Sequence, residues 1–561
     1  MHTVLQHSRV LFLLPAWLMA VAIAIPIVAT LLAVAEPQGP IWEHLQETVL
    51  PEYVLNSLAL MTLTGAISLV LGVSTGWLIG ACAFKGRETL SWLLMLPLAA
   101  PAYIVAYVYT DLLEVSGPVL TALRSVLSLD VGELPLPSIR TLAGAAILLS
   151  LVLYPYIYLL SRNSFAGRSG AQFDAARVLG HGPYSAFFRI ALPASRPAIL
   201  GGLALVLMET LADFGVVSYF SVPTFSTGIF RTWLGLGDAA AALKLAAFML
   251  LFVIMLVALE ERNRRGTADS SDLTQASRIN LTGAKAGLAI AACLVPVMLG
   301  FAIPLTTLLI YASEHLSQNN SANFGRMAIN SVSLALTASV AITLIAWLLA
   351  YTKRMYPSPL NNSLIRVSTI GYALPGILLA VALLKSLGAV NHWLVDIWPN
   401  SKDSIFTGGV FLLLYSYVCR FLTVAYQSLE SGFTSISPTL DAAARTLGAT
   451  TLGLTWRIHL PLLKPSILGA CLLVFVDVMR ELPATLILRP FNFNTLATHV
   501  YRLASDERLT EASLAAVLIV MVGVIPVVLL QRSGSSRATI GALVKHHPEE
   551  RNAGAGQHFV I

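Results

Sequence analysis

Charge is scarce in this chain of 561 residues: Asp, Glu, Lys and Arg make up 11% of it against 56% hydrophobic residues, and the mean hydropathy is +0.76. A water-soluble domain carries about a quarter charged residues, so an ordinary soluble protein is excluded. Cysteine is scarce too. The four present, Cys82, Cys293, Cys419 and Cys471, each sit in an apolar run, with no CxxC and no histidine at ligand spacing. They read as small buried hydrophobes, not as a disulfide or metal framework. No GxxxxGK[ST] occurs, so the chain has no loop of that kind to cradle ATP phosphates. His181, His459 and His499 are isolated, and no His/Glu/Asp cluster at catalytic spacing gathers near one membrane face, which speaks against a membrane enzyme. The net charge of +6 and pI near 9.1 come from small basic groups between apolar runs, so they do not point to nucleic acid.

What the chain has in abundance is apolar runs long enough to cross a bilayer, about 20 residues each. They fall at 10–35, 54–83, 90–113, 141–161, 197–221, 241–259, 286–312, 330–352, 367–388, 406–428, 466–488 and 511–531, which predicts an all-α polytopic protein of about twelve spans. The first run ends in Ala33-Val34-Ala35, like a signal-peptidase site, but it is longer than the roughly 7–15 residues of a signal sequence and is expected to stay as a span. With the N-terminus inside, 23 of the 35 Lys and Arg fall on the cytoplasmic side, 8 outside and 4 within spans. That bias predicts both termini in the cytoplasm. The polar stretch 261–285 reads as a cytoplasmic linker between halves at 1–260 and 286–531, with a cytoplasmic tail at 532–561.

The halves repeat each other. Ala175-Ala176-Arg177-Val178-Leu179-Gly180, Phe188 to Pro193 and Arg196 to Gly201 return as Ala443-Ala444-Arg445-Thr446-Leu447-Gly448, Trp456 to Pro461 and Lys464 to Gly469, every pair 268 apart. The same offset pairs Glu209 with Asp477, Asp213 with Glu481, Phe225 with Phe493, Thr227 with Thr495 and Trp233 with Tyr501. Upstream the match loosens, with Leu55-Asn56-Ser57 resembling Ile329-Asn330-Ser331 and Pro101 resembling Pro375. Both copies lie six spans apart, hence parallel, related by an axis along the membrane normal.

The repeated segments fall in the cytoplasmic loops at about 163–196 and 429–465. Ser437 and Pro438 open a short helix that Gly448 closes, and a second short helix is expected to stop at Pro461; Asp174 and Gly180 bracket the first copy in the same way. Each copy is thus a compact helical knob whose small residues, Ala175, Ala176, Ala443 and Ala444, suit close docking in a partner's groove. An amphipathic loop resting on lipid is the alternative.

These loops resemble the "EAA" signature of permease subunits in binding-protein-dependent ATP-binding-cassette importers. Asp174-Ala175-Ala176, Gly180 and Pro193 match it; in the second copy Ala442 takes the acidic position and Asp441 lies one residue earlier, followed by Ala443, Ala444, Gly448 and Pro461. The resemblance implies coupling helices seated in two copies of a separate ATP-binding subunit. It also implies a soluble substrate-binding protein on the periplasmic or extracellular side, a bacterial inner-membrane location, and ATP used by the partner with no cofactor bound to this chain.

Acids inside spans are costly and mark function by default, which singles out Glu209, Asp213, Asp477, Arg480 and Glu481 as a translocation pathway, or as ion pairs that pin helices. The stretches 212–220 and 480–491 look most like fused ferric iron permeases. Carboxylates and tyrosines such as Tyr103, Tyr107, Tyr154, Tyr156 and Tyr158 would suit that hard cation, though interfacial anchoring explains tyrosines equally well. No metal ligand set is assigned. In the family so resembled, members with the same fused layout carry thiamine and unfused ones carry polyamines, sulfate or phosphonates, and an ion-coupled secondary transporter would share the span count. Pro97, Pro101, Pro375 and Gly376 are expected to bend spans.

Overall fold

The computed structural model describes residues 2–37, 39–128, 130, 138–167, 175–176, 178–180, 182–264, 278–317, 324–397 and 409–545. Among them nine helices are long and apolar enough to cross a membrane, and three bent pairs bring the count to twelve. The straight ones are spans 1 (Leu14–Val34), 2 (Leu50–Ala81), 4 (Leu142–Ala166), 6 (Ala239–Leu259), 7 (Ala284–His315), 8 (Phe324–Met355), 10 (Val410–Ser435), 11 (Thr455–Met479) and 12 (Leu509–Val528). Span 3 is Arg87–Ala99 followed by Ala102–Leu127 at 89°, span 5 is Phe187–Ala194 followed by Arg196–Ala212 at 63°, and span 9 is Pro359–Ala373 followed by Gly376–Asn391 at 114°. Pro101 and Pro375, which have no amide hydrogen to continue a helix, stand at the bends of spans 3 and 9.

Spans 5 and 11 end sooner than the apolar runs predict. The helices stop at Ala212 and Met479, and short helices Gly215–Tyr219 and Pro483–Leu488 follow. Hydropathy averaged over a whole span does not register such a break, because the apolar run resumes beyond Asp213 in one half and beyond Arg480 and Glu481 in the other.

The first helix of each half crosses to the other half. Span 1 packs on spans 6, 8 and 9, and span 7 packs on spans 2, 3, 4 and 12. Tyr415 donates to the carbonyl of Ala22 at 2.5 Å, and Lys244 donates to that of Glu36 at 2.9 Å, which ties span 1 in place. Lys385 of span 9 pairs with the Glu36 carboxylate, and at the equivalent position of span 3 Asp111 accepts from Tyr311 of span 7 at 2.5 Å. The repeat boundaries at 1–260 and 286–531 therefore cut across the packing. Within the stretch read as the linker, Ile279–Asn280 pairs in parallel with Cys82–Ala83 at the end of span 2.

Spans 2 and 4 meet along Gly72, Gly76 and Gly80. A Cβ at Gly76 would lie 2.2 Å from Ser161 Oγ, and one at Gly72 would lie 2.6 Å from Ile157 Cβ. Lipid tails are as apolar as leucine, so only close backbone approach and dispersion hold such a pair together. The second half uses Ala346 and Ala350 at the matching places, both buried. All four cysteines are free thiols, and Cys82, Cys293 and Cys419 are buried. Gly76→Val is expected to overpack this contact at a cost of about 1–3 kcal/mol, which a lowered unfolding midpoint of the detergent-solubilised protein would register; an unchanged midpoint would mean that span 4 can give way freely.

Candidate functional site

The broken ends of spans 3, 5, 9 and 11 converge on a cavity of about 140 Å³. Glu209, Asp213, Asp477, Arg480 and Glu481, all five residues marked by the cost of intramembrane charge, are in its wall. So are Tyr156, Tyr372 and Arg420. The sequence reading did not assign Arg420 to this group, although an arginine within span 10 carries the same signal; for Tyr372 no signal was present.

Two of the acids act first on the backbone. Asp213 accepts from the amides of Val216 and Val217 at 3.1 and 3.2 Å, and Glu481 accepts from the amide of Ala484 at 3.1 Å, so each caps the short helix after its span. Arg480 donates to Asp477 at 2.5 Å and to the carbonyl of Leu98, beside the break in span 3, at 2.9 Å. Arg420 lies 3.5 Å from Glu481. Gly376 makes room for that pair, since a Cβ there would fall 2.4 Å from the guanidinium and 2.7 Å from the carboxylate. Tyr372 donates to Glu209 at 2.9 Å.

The pairing is one-sided. Asp477 and Glu481 each hold an arginine, whereas the first half has Val152 and Ala212 where Arg420 and Arg480 stand, and Glu209 and Asp213 have no ion pair among the described residues. Arg480 thus links span 11 to the break in span 3, Arg420 of span 10 pairs with Glu481, and all four acids line the cavity. Among the described residues no three His, Cys, Asp or Glu side chains converge as a metal cage.

Outside this cavity the repeat shifts register. Asn56 donates to the carbonyl of Pro223 at 3.0 Å and Asn330 to that of Asn494 at 3.2 Å; Ser57 accepts from the amide of Phe225 at 3.3 Å and Ser331 from that of Leu496 at 2.7 Å. Thr224 and Thr495 each open a helix with a reciprocal cap. The true partner of Thr495 is thus Thr224, not Thr227, and of Tyr501 it is Phe230, not Trp233. The second half has three extra residues between Leu488 and Thr495, which an ungapped comparison cannot see.

The tyrosines are not interfacial anchors. Tyr103, Tyr107, Tyr154 and Tyr158 are buried, and Tyr154 and Tyr158 donate to the carbonyls of Leu94 and Ser91 at 3.0 and 2.7 Å.

At the repeated loops, Asp174 lies outside the described residues. Gly180 and Gly448 adopt φ of +88° and +81°, the left-handed ends expected of them. The alanines divide: Ala176 and Ala444 are buried against the chain itself, and only Ala175 and Ala443 are exposed. Beside them project apolar side chains paired by the repeat, Leu179 and Leu447 at 81% and 88% exposed, with Phe188 and Trp456 also exposed. Pro193 and Pro461 do not stop the second helix. A wide π turn, Phe187–Ala191 or Thr455–His459, precedes each, and each proline sits in the first turn of the helix that follows, where its missing amide hydrogen costs nothing.

Asp441 turns inward. It accepts from Arg354, at the end of span 8, and from buried His459, each at 3.0 Å. Burial works against its charge, but the hydrogen bonds from His459 and Arg354 prevail and hold the carboxyl below the usual carboxylate range. Gly80 and Ala191 occupy the matching first-half positions, so this clamp has no first-half counterpart.

Comparison with known proteins places this geometry. The domain described as "Binding-protein-dependent transport system inner membrane component" matches twice, over residues 68–265 and 342–539. An Fe(3+)-transport system permease protein, FbpB 2 of Haemophilus influenzae, is 22% identical over 490 residues, covering 86% of this chain and 90% of the relative. A ferric transport system permease protein, FbpB of Actinobacillus pleuropneumoniae, is 24% identical over 462 residues, 78% of this chain and 64% of the relative. The molybdenum transport system permease protein ModB of Escherichia coli K12 is 28% identical over 172 residues, 30% of this chain and 72% of the relative. Twelve spans in two parallel repeats, with matched loops at one end and a domain match to each half, mean that this chain belongs to the family of inner-membrane components of binding-protein-dependent transport systems and carries both halves on one polypeptide.

Proposed function

We propose that the chain is the permease of an ATP-driven importer whose cargo is ferric iron, delivered by a soluble binding protein. The observation that carries the choice of cargo is the charge of the central cavity. Among the described residues in its wall, Glu209, Asp213, Asp477 and Glu481 stand against Arg420 and Arg480, four carboxylates to two guanidinium groups. A formal excess of two negative groups within the bundle attracts a cation and repels an oxyanion such as molybdate. The donors are all oxygen, which suits a hard cation. A permease needs to pass its cargo on, and an incomplete ligand set does this where a full cage would trap it. Family membership speaks against an ion-coupled secondary transporter.

In this reading ATP is hydrolysed by two separate subunits in the cytoplasm, one seated on each repeated loop, and both termini face them. Exposed Leu179 and Phe188 in one loop, and Leu447 and Trp456 in the other, supply equivalent apolar contacts for two equivalent partners. Asp441 and Arg354 then carry a push on the second loop directly into span 8.

Uptake of radiolabelled ferric iron into vesicles holding this chain, its ATPase and its binding protein tests the whole reading. ATP-dependent ferric uptake is expected; ATP-dependent uptake of a polyamine, thiamine or molybdate without iron would discard the cargo and keep the importer. Leu179→Asp combined with Leu447→Asp is expected to weaken co-purification of the ATPase by at least about tenfold, as loss of two central apolar anchors does, and unchanged binding would move the docking face elsewhere. Asp441→Ala removes the carboxylate between Arg354 and buried His459, leaving Arg354 with the carbonyls of Phe433 and Ile436, at a cost of about 3 kcal/mol, and is expected to speed proteolysis at 438–448. Because the folded Asp441 carboxyl titrates below its unfolded value, the clamp should be fully present at neutral pH and be lost only as pH falls below the ordinary aspartate range; proteolysis that accelerates already near neutrality would refute it.

A further inference from the structure

A second, smaller cavity lies on the side of the central one away from the coupling loops, between the outer parts of spans 3, 4 and 12. Its wall holds Asp111, Glu114, Arg140 and Glu507, with Tyr107 and Tyr219. Arg140 lies 2.5 Å from Glu114 and 3.2 Å from Glu507, and its guanidinium stacks 5.0 Å above the ring of Tyr219. Three carboxylates face one guanidinium, so this cavity has the same formal excess of two negative charges as the central one.

Tyr103, in the wall of the central cavity, and Tyr107, in the wall of the outer one, form the partition between them, with ring centroids 5.7 Å apart. The two side chains are 5% and 1% exposed, yet neither hydroxyl makes a hydrogen bond among the described residues. Buried polar groups are almost always satisfied, as the hydroxyls of Tyr154 and Tyr158 in the same bundle are. Phenylalanine would fill the same volume with no unsatisfied oxygen. The second half has Ile377 and Val381 at the equivalent places, so the free hydroxyls stand in the half whose acids, Glu209 and Asp213, have no ion pair among the described residues.

We infer that the two cavities are successive stations of one route, displaced toward the first half, and that the Tyr103 and Tyr107 hydroxyls are relay ligands that pass a hard, oxygen-seeking cation from the outer station to the central one. This rests on the cation reading above. The neutral hydroxyls bridge two anionic stations without creating a third deep well, and the aromatic edges between them close the route to solutes with no affinity for oxygen ligands. Conduction through sites that bind well enough to enter but weakly enough to leave has the same requirement.

The test is ferric uptake by the complete complex, with ATPase and binding protein in vesicles, for Tyr103→Phe, Tyr107→Phe and the control Tyr154→Phe. Each of the first two is expected to slow ferric uptake by about tenfold, the scale of one lost contact to a charged ligand, with the unfolding midpoint held or raised and ATPase assembly unchanged. Tyr154→Phe, which loses a hydrogen bond to Leu94, is expected to lower the midpoint and to slow uptake less than either. Uptake at the unsubstituted rate in both relay variants, or a loss that follows the midpoint across all three, would overturn the relay while leaving the ferric reading standing. Absence of ATP-driven ferric uptake by the unsubstituted complex would instead overturn the ferric reading, and the relay with it.

Discussion

Hydrocarbon offers no partner to a backbone amide, so a helix that ends inside a membrane protein must be capped by the protein itself. Spans 5 and 11 end within the bundle, and the chain answers with carboxylates: Asp213 takes the amides of Val216 and Val217, and Glu481 takes that of Ala484. Much else at the centre follows from this. Buried caps of this kind bring negative charge inside, and that charge in turn calls for Arg420, held against Glu481 over Gly376. The broken helices thus create the polar cavity by the same act that solves their hydrogen bonding.

The repeat doubles the caps but not their counter-charges. Valine and alanine stand in the first half where the second has arginine, so one side of the centre is balanced and the other is left acidic. The repeated loops are unequal in the same way, because Asp441 is bound to Arg354 and His459 while the first half has glycine and alanine at their places. A duplicated permease on one chain is free to specialise its halves: substitutions in one copy no longer appear in the other. Here the first half holds the acids that have no ion pair among the described residues and the free hydroxyls, and the second holds the cations and the rigid link from span 8 to its repeated loop.

Much of this was legible in the residues. Hydropathy marked all twelve spans, because crossing the bilayer demands an apolar run whatever its neighbours are. The constant spacing of 268 between copies revealed two parallel halves and the loops at Gly180 and Gly448, whose left-handed backbone only glycine adopts easily. Intramembrane cost singled out Glu209, Asp213, Asp477, Arg480 and Glu481, and all five meet in one cavity. These signals are local: each depends on a residue's own solvation or backbone and survives without knowledge of any contact.

Contacts decided the rest. Span 1 crossing to spans 8 and 9, Tyr372 reaching Glu209, Arg420 reaching Glu481 and Arg480 reaching Leu98 join residues far apart in the chain, and nothing in composition or periodicity encodes them. The early ends of spans 5 and 11 were missed because the apolar run resumes beyond the capping acids Asp213 and Glu481, and the shift of Thr495 onto Thr224 because three extra residues defeat a fixed offset. By itself the sequence determined the number of spans, the duplication and the costly charges, since transfer from water to lipid acts on each residue separately. Only the tertiary structure decided which charges are cancelled, because cancellation is a property of distances between helices.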